Sequence, residues 1–177
     1  MVNPLPDATQ KYFDICTDKL GMIPNVLQAY AFDIEKLNAF TGLYNDVMFA
    51  ESGLSKLERE MIAVTVSSIN KCFYCLTAHG ATVRQLSGDP KLGEALVMNW
   101  RVADLDARQH AMLQFSEIMT INSASISETN RDALRQVGFS DRDIWDIAAT
   151  ASFYNMTNRM ASATDMHPND EYHALAR

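Results

Sequence analysis

Apolar residues recur along most of the chain at the three- and four-residue spacing of a helix face. From Asp7 to Leu20 the pattern is Ala8, Tyr12, Phe13, Ile15, Cys16 and Leu20, with Gly21 as a stop. Pro24 suits the first turn of a short helix through Tyr30. Asp33 is placed to cap a helix whose inward residues are Ile34, Leu37, Phe40, Leu43, Tyr44, Val47 and Met48, with Glu51-Ser52-Gly53 beyond its end. Ser55 and Glu58 form a capping box ahead of a helix to about Ile69. Its centre (Ile62, Val64, Thr65, Val66, Ile69) is β-branched and in isolation could be a strand, but the cap and the flanking periodicity favour a buried helix. A break is expected at Asn70-Lys71, then a helix from near Cys72 to Leu86 that Ser87-Gly88 ends. Further helices are predicted from Pro90 to about Trp100, from a cap at Asp104 to about Asn122, from Glu128 to Val137 behind Ser127, and from the cap Ser140–Asp143 to about Ala163. The tail from Asp165 is polar and is expected to be ordered in part by a partner subunit.

No segment reads as strand-rich, and no linker divides the 177 residues. The prediction is one all-α domain spanning 1–177, large enough to bury roughly 70% of its unfolded surface without a disulfide or structural metal. The stretch Ser55–Ala78 also repeats weakly at Ser140–Ala163. Ser55/Ser140, Ile62/Ile147, Ala63/Ala148, Thr65/Thr150, Ser67/Ser152, Asn70/Asn155 and Ala78/Ala163 are identical pairs. A duplicated helical core, with pseudo-repeats at about 33–88 and 104–165, would account for them.

The formal charge of −7 leaves no basic footprint for a duplex nucleic acid. No apolar run is long enough for a membrane-spanning helix. MVNPLPDATQKYF lacks the basic and apolar regions of a secretory signal, so a cytoplasmic location with reduced thiols is expected. The three cysteines, Cys16, Cys72 and Cys75, are not a disulfide framework. Cys16 reads as a buried small hydrophobe.

Cys72, Cys75 and His79 are the residues that carry chemistry. On a helix they occupy a sector of roughly 60°. Near a helix N-terminus a thiol is biased toward thiolate, and His79 can hold a proton for Cys75. Thiols at i and i+3 can close a disulfide with little backbone change. Glu60 precedes Cys72 by twelve residues, and a turn at Asn70-Lys71 would fold it back toward the thiols as base or orienting carboxylate. Glu58 is a rival better used in the cap. A zinc site is disfavoured: Cys72, Cys75 and His79 are three ligands where four are usual, and His110, His167 and His173 read as isolated surface residues. The ten methionines read as core filler and interface, and Trp100 and Trp145 as core or subunit contacts.

Glu60, Cys72, Cys75 and His79 stand at the spacing Glu, eleven residues, CxxC, three residues, His. In this and in the flanks LSKLEREMIAVTVSSINKCFYCLTAHG and YNMTNRMASATDMHPNDEY, the chain resembles the AhpD-like (alkyl hydroperoxidase D) branch of the carboxymuconolactone decarboxylase superfamily, in its uncharacterised peroxidase-related subgroup. The likeness runs from about Leu20 to Tyr172. It implies the AhpD-like all-helical fold with a duplicated core, a homo-oligomer (dimer, trimer or hexamer), and hydroperoxide reduction by the Cys72–Cys75 pair without a further cofactor. By position it makes Cys75 the attacking thiol, Cys72 the resolving thiol, and His79 and Glu60 the proton relay. A protein or small-thiol reductant is implied. The best-studied type carries a histidine where this chain has Tyr74, and takes its electrons from a lipoyl-bearing protein. The alternatives left open are a general disulfide reductase, a carboxymuconolactone decarboxylase-like acid–base enzyme, and a non-enzymatic thiol or metal module.

Overall fold

The computed structural model describes residues 4–177. Ten α-helices and two short 3₁₀ turns make up the fold, with no strand among the described residues. Helix α1 (Asp7–Leu20) ends at Gly21, whose φ of 72° is the left-handed conformation glycine adopts without strain. Helix α2 (Asn25–Tyr30) follows Pro24, and α3 (Ile34–Phe49) starts where the Asp33 carboxylate accepts the N–H groups of Glu35 and Lys36. Leu43, expected inward, lies on the exposed side of α3.

Helix α4 (Lys56–Asn70) is the hub. It packs against α5 (Phe73–Ser87), α6 (Pro90–Asn99), α7 (Ala107–Asn122) and α9 (Asp141–Ala163). A helix covered on so many sides has no polar face to offer, which is why its middle, Met61 to Val66, is fully buried and apolar except for Thr65. The β-branched run is therefore helical by tertiary context against its local propensity. The capping box is present: Ser55 N–H donates to Glu58 and Glu58 N–H donates to Ser55 Oγ. The second oxygen of Glu58 takes Arg108, so this carboxylate is spent on structure. Arg59 is buried and ties off the end of α3 by donating to the carbonyls of Val47 and Ala50.

Helix α7 is capped by Asp106 with Gln109, two residues after the expected Asp104, because Trp100–Val102 continues α6 as a 3₁₀ turn and takes up the intervening chain. Helix α8 (Glu128–Gln136) and α9 follow Ser127 and Ser140. Ser55 and Ser140, equivalent under the 85-residue shift, both open their helices with capping boxes, and α4 packs on α9. The equivalent residues Asn70 and Asn155 hydrogen-bond at 3.1 Å. Helix α4 stops at Asn70, whereas α9 runs on to Ala163.

The tail is held by its own chain. Asn169 accepts from the N–H of Asn25 and donates to the carbonyl of Ile23. Arg84 of α5 donates to the carbonyls of Tyr172 and Leu175. The last helix, α10 (Glu171–Ala174), thereby lies against α5.

Candidate functional site

The site is made where α4 ends and α5 begins. Lys71 adopts a left-handed conformation (φ 55°), and the N–H of Cys72 reaches back to the Ser67 carbonyl at 3.0 Å, the six-to-one bond of a Schellman turn. The chain reverses there, so α5 runs back along α4. Cys72 is the N-cap of α5, just outside the helix. The shared helical face predicted for three residues thus holds for Cys75 and His79, and Cys72 joins them through the turn.

The reversal brings Glu60 to His79. Glu60 Oε2 accepts from His79 Nδ1 at 2.6 Å, and both side chains are largely buried. A carboxylate on Nδ1 fixes the tautomer and leaves Nε2 as the nitrogen open to a thiol or substrate. Tyr154 of α9 meets the imidazole edge-on at 4.7 Å between ring centres, with its hydroxyl 3.5 Å from Nδ1.

Cys72 and Cys75 are free thiols, and both are buried. Together with Tyr74, Ala78 and Ala161 they form a small cluster apart from the main core. Their titrations are tied together. The Cys75 thiol, as hydrogen-bond donor, draws Cys72 down to about 6; burial opposes this, and the Cys75 backbone N–H, the Asn158 carboxamide and the nearby His79 assist it. Cys75 is pushed far up by giving its proton to Cys72, and then by burial. The coupling favours ionisation of Cys72 over Cys75.

Residues 35–117 match the model of the carboxymuconolactone decarboxylase family. An uncharacterised peroxidase-related protein from Silicibacter sp. TM1040 is 70% identical, over 99% of this chain and 92% of that one, with a TM-score of 0.97. The chain belongs to the carboxymuconolactone decarboxylase family, in its AhpD-like branch. A second solved structure, the AhpD core of a peroxidase-related protein from Ralstonia eutropha JMP134, is 39% identical over 98% of this chain and 91% of that one, with a TM-score of 0.95. The debrominase Bmp8, solved with 2,3,4-tribromopyrrole, shares the fold at 20% identity and a TM-score of 0.80, over 99% of this chain and 95% of that one. No curated protein matches the chain.

In this AhpD-like chain the site has three members that sequence reasoning missed: Ser67 on α4, and Tyr154 and Asn158 on α9. Each is almost fully buried. Two signals pointed to them. Ser67 lies among the identical pairs of the repeat, and Asn158 is an amide in a long helix that packs on α4 and α7, where a buried polar group must find a partner. Tyr74 turns its hydroxyl to the N–H of Val26 at 3.1 Å, and burial raises its pKa, so it stays a neutral phenol. Cys16 is buried, with its thiol raised by desolvation, and lies outside the thiol cluster. His110 packs edge-on against the buried Trp100, while His167 and His173 are exposed in the tail. Trp145 is exposed on α9.

Two further features lie near the site. A cleft of about 460 Å³ lies beside α9, lined by Asn70, Asn158, Arg159, Ser162 and Ala163. On another side Met166 and Tyr172 of the tail, with Val26, pack onto the thiol cluster. Burial raises the pKa of the Tyr172 phenol, and Tyr74 works against the rise. Among the described residues, no group of three or more His, Cys, Asp and Glu side chains is placed to hold a metal ion, and no helix is long and apolar enough to cross a membrane.

Proposed function

We propose that this chain is a thiol-dependent hydroperoxide reductase. The observation that carries the reading is the convergence of a polarised cysteine pair with a buried Glu60–His79 hydrogen bond between α4 and α5. Cys75 is the attacking sulfur and Cys72 the resolving one. The coupling favours charge on Cys72 in the reduced pair, so attack requires the Cys75 proton to pass to Cys72 or to the His79–Glu60 pair. The Cys75 sulfur then displaces an alcohol from the hydroperoxide: the O–O bond breaks, an S–O bond forms, and the alkoxide takes a proton from the relay. Cys72 attacks the resulting sulfenic acid, the S–O bond breaks, water leaves and the Cys72–Cys75 disulfide forms. A protein dithiol or small thiol returns the pair to the reduced state by exchange. The active form is a homo-oligomer.

The test is intact and peptide mass after one equivalent of an organic hydroperoxide, on reduced wild type and on Cys72→Ser. Wild type should lose two hydrogens at Cys72–Cys75, and the variant should retain a sulfenic acid on Cys75. Two free thiols after exposure would reject the peroxide reading. A sulfenic acid trapped on Cys72 in Cys75→Ser, with none on Cys75 in the reciprocal variant, would reverse the roles.

A further inference from the structure

The amides between α4 and α9 form a directed chain that ends on Ser67, whose carbonyl accepts the Cys72 N–H. The carbonyl of Ala151 can only accept, so the group that reaches it at 3.0 Å is the Asn155 amide nitrogen. Asn155 Oδ1 is then an acceptor, and the Asn70 amide donates to it at 3.1 Å. The same Asn70 nitrogen donates to Asn158 Oδ1 at 3.0 Å. That leaves the Asn158 amide nitrogen to donate to Ser67 Oγ at 2.9 Å. Each link fixes the next, so the Asn158 –NH₂ faces the thiol side.

Ser67 receives this bond and keeps one hydroxyl hydrogen to give. Many helical hydroxyls here spend that hydrogen on the carbonyl four residues earlier, as Thr82, Ser87 and Ser116 do. Ser67 makes no such bond, and it stands at the thiols: its carbonyl accepts the Cys72 N–H at 3.0 Å, and its hydroxyl is among the groups that favour the ionised Cys75. Asn158 precedes Ala161 of the thiol cluster by one turn of α9, and its carboxamide favours the ionised form of both thiols. A thiolate shut away from water needs such donors, because burial alone disfavours its charge.

We propose that Ser67 and Asn158 are positioning residues whose hydrogen bonds hold the Cys75 sulfur when the negative charge moves onto it. Asn158 serves the charge at either sulfur, whereas Ser67 serves Cys75. The inference rests on the thiol-exchange reading above in this respect: Cys75 carries charge at the moment of attack. It carries charge again when a reductant thiolate attacks Cys72, the S–S bond breaks and its electron pair leaves on Cys75. Other titratable groups surround Cys75. They are Glu60 on α4, Cys72 at the turn, Tyr74 and His79 on α5, Tyr154 on α9 and Tyr172 in the tail; Cys72 is serine in every protein of the test, and the others are left unaltered.

The experiment titrates Cys75 alone, in a Cys72→Ser background, by ultraviolet thiolate absorbance and by the pH profile of its alkylation with iodoacetamide. Adding Ser67→Ala should move the midpoint up by about one pH unit or more, the loss of a hydrogen bond to a charged group. Asn158→Asp, which keeps the acceptor for Asn70 but replaces the donor with a negative oxygen, should move it further. Ser67→Thr, which restores a hydroxyl, should bring it back. A merely structural role would lower the melting temperature and leave the midpoint in place. Should the Asn158 variant fail to fold, the pair Ser67→Ala and Ser67→Thr decides the matter, since the first removes a single atom. An unmoved midpoint in Ser67→Ala overturns the proposal. Hydroperoxide turnover by wild type is measured beside it: its absence with a shifted midpoint would reject the peroxidase reading and leave the relay standing.

Discussion

Glu60 and His79 lie nineteen residues apart on separate helices, yet their side chains meet at 2.6 Å in the interior. Burying a carboxylate there is tolerable because the imidazole N–H pairs with it, and the pair can pass a proton without exposing charge to apolar surroundings. Glu60→Gln keeps the shape and the acceptor but cannot take up a proton. Turnover of an organic hydroperoxide, as kcat/KM, should fall by about 10²-fold or more, the usual worth of a positioned acid–base group. Helix content by circular dichroism should be unchanged. Wild-type turnover in this variant would remove Glu60 from the relay.

The thiol pair should show its asymmetry to a pH titration. The fold draws Cys72 down from an ordinary 9.0 to about 6, chiefly through the Cys75 thiol that donates to it. Folding thus favours the ionised form, so the stabilisation is full above the ordinary thiol range and is lost as pH falls through about 6. Cys75, raised by the same donation and by burial, stays protonated over that range. Reduced wild type should show one thiolate by ultraviolet absorbance at neutral pH, disappearing with a midpoint near 6. The melting temperature of wild type relative to Cys72→Ser should fall across the same interval. A thiolate that appears only in the ordinary thiol range would refute the asymmetry.

What could be read in the residues differed between fold and site for physical reasons. Helix ends were legible because caps are local: Gly21, Asp33, Ser55 with Glu58, and Ser140 with Asp143 all act within four residues. Asp106 displaced Asp104 because the 3₁₀ turn at Trp100–Val102, a tertiary detail, sets how much chain remains before α7. Of the site, Cys72, Cys75 and His79 could be grouped by spacing. The burial of Glu60 depended on a reversal at Lys71 that spacing permits but does not require. Ser67 and Asn158 meet across 91 positions, and no local pattern reports such a pairing. The tail's anchorage on Arg84 is of the same kind.

Gly53 should be intolerant of a side chain although it sits in a loop. A Cβ there would lie 2.8 Å from the Asp143 Cγ, inside contact distance. Asp143 cannot simply swing away, because its carboxylate accepts from the N–H and hydroxyl of Ser140 and completes the cap of α9. Gly53→Ala should therefore cost about 1–3 kcal/mol in urea unfolding, through crowding and loss of the cap. Combining it with Asp143→Ala should add less than the sum, because both changes break the same cap. Full additivity would show that Gly53 matters for another reason.

The tail should set how fast small reagents reach the thiols. Met166 and Tyr172 pack on the cluster of Cys72 and Cys75, and their segment is fastened by Arg84 at the carbonyls of Tyr172 and Leu175 and by Asn169 at α2. Hydrogen bonds from a guanidinium are each worth about 1.5–3 kcal/mol, and 1.4 kcal/mol changes an opening equilibrium tenfold. Deleting Asp170–Arg177 removes the Arg84 bonds and the Tyr172 ring together and leaves Asn169 in place. Iodoacetamide labelling of the reduced pair should then quicken by about tenfold or more, with Cys16 as the internal comparison. Tyr172→Ala should give a smaller rise, because the Arg84 bonds go to backbone carbonyls and survive it. Equal rates in all three proteins would mean that reagents do not pass beneath the tail. The cleft at Asn158 and Arg159 would then be the entrance, and narrowing it with Ser162→Trp should slow labelling where removing the tail did not speed it.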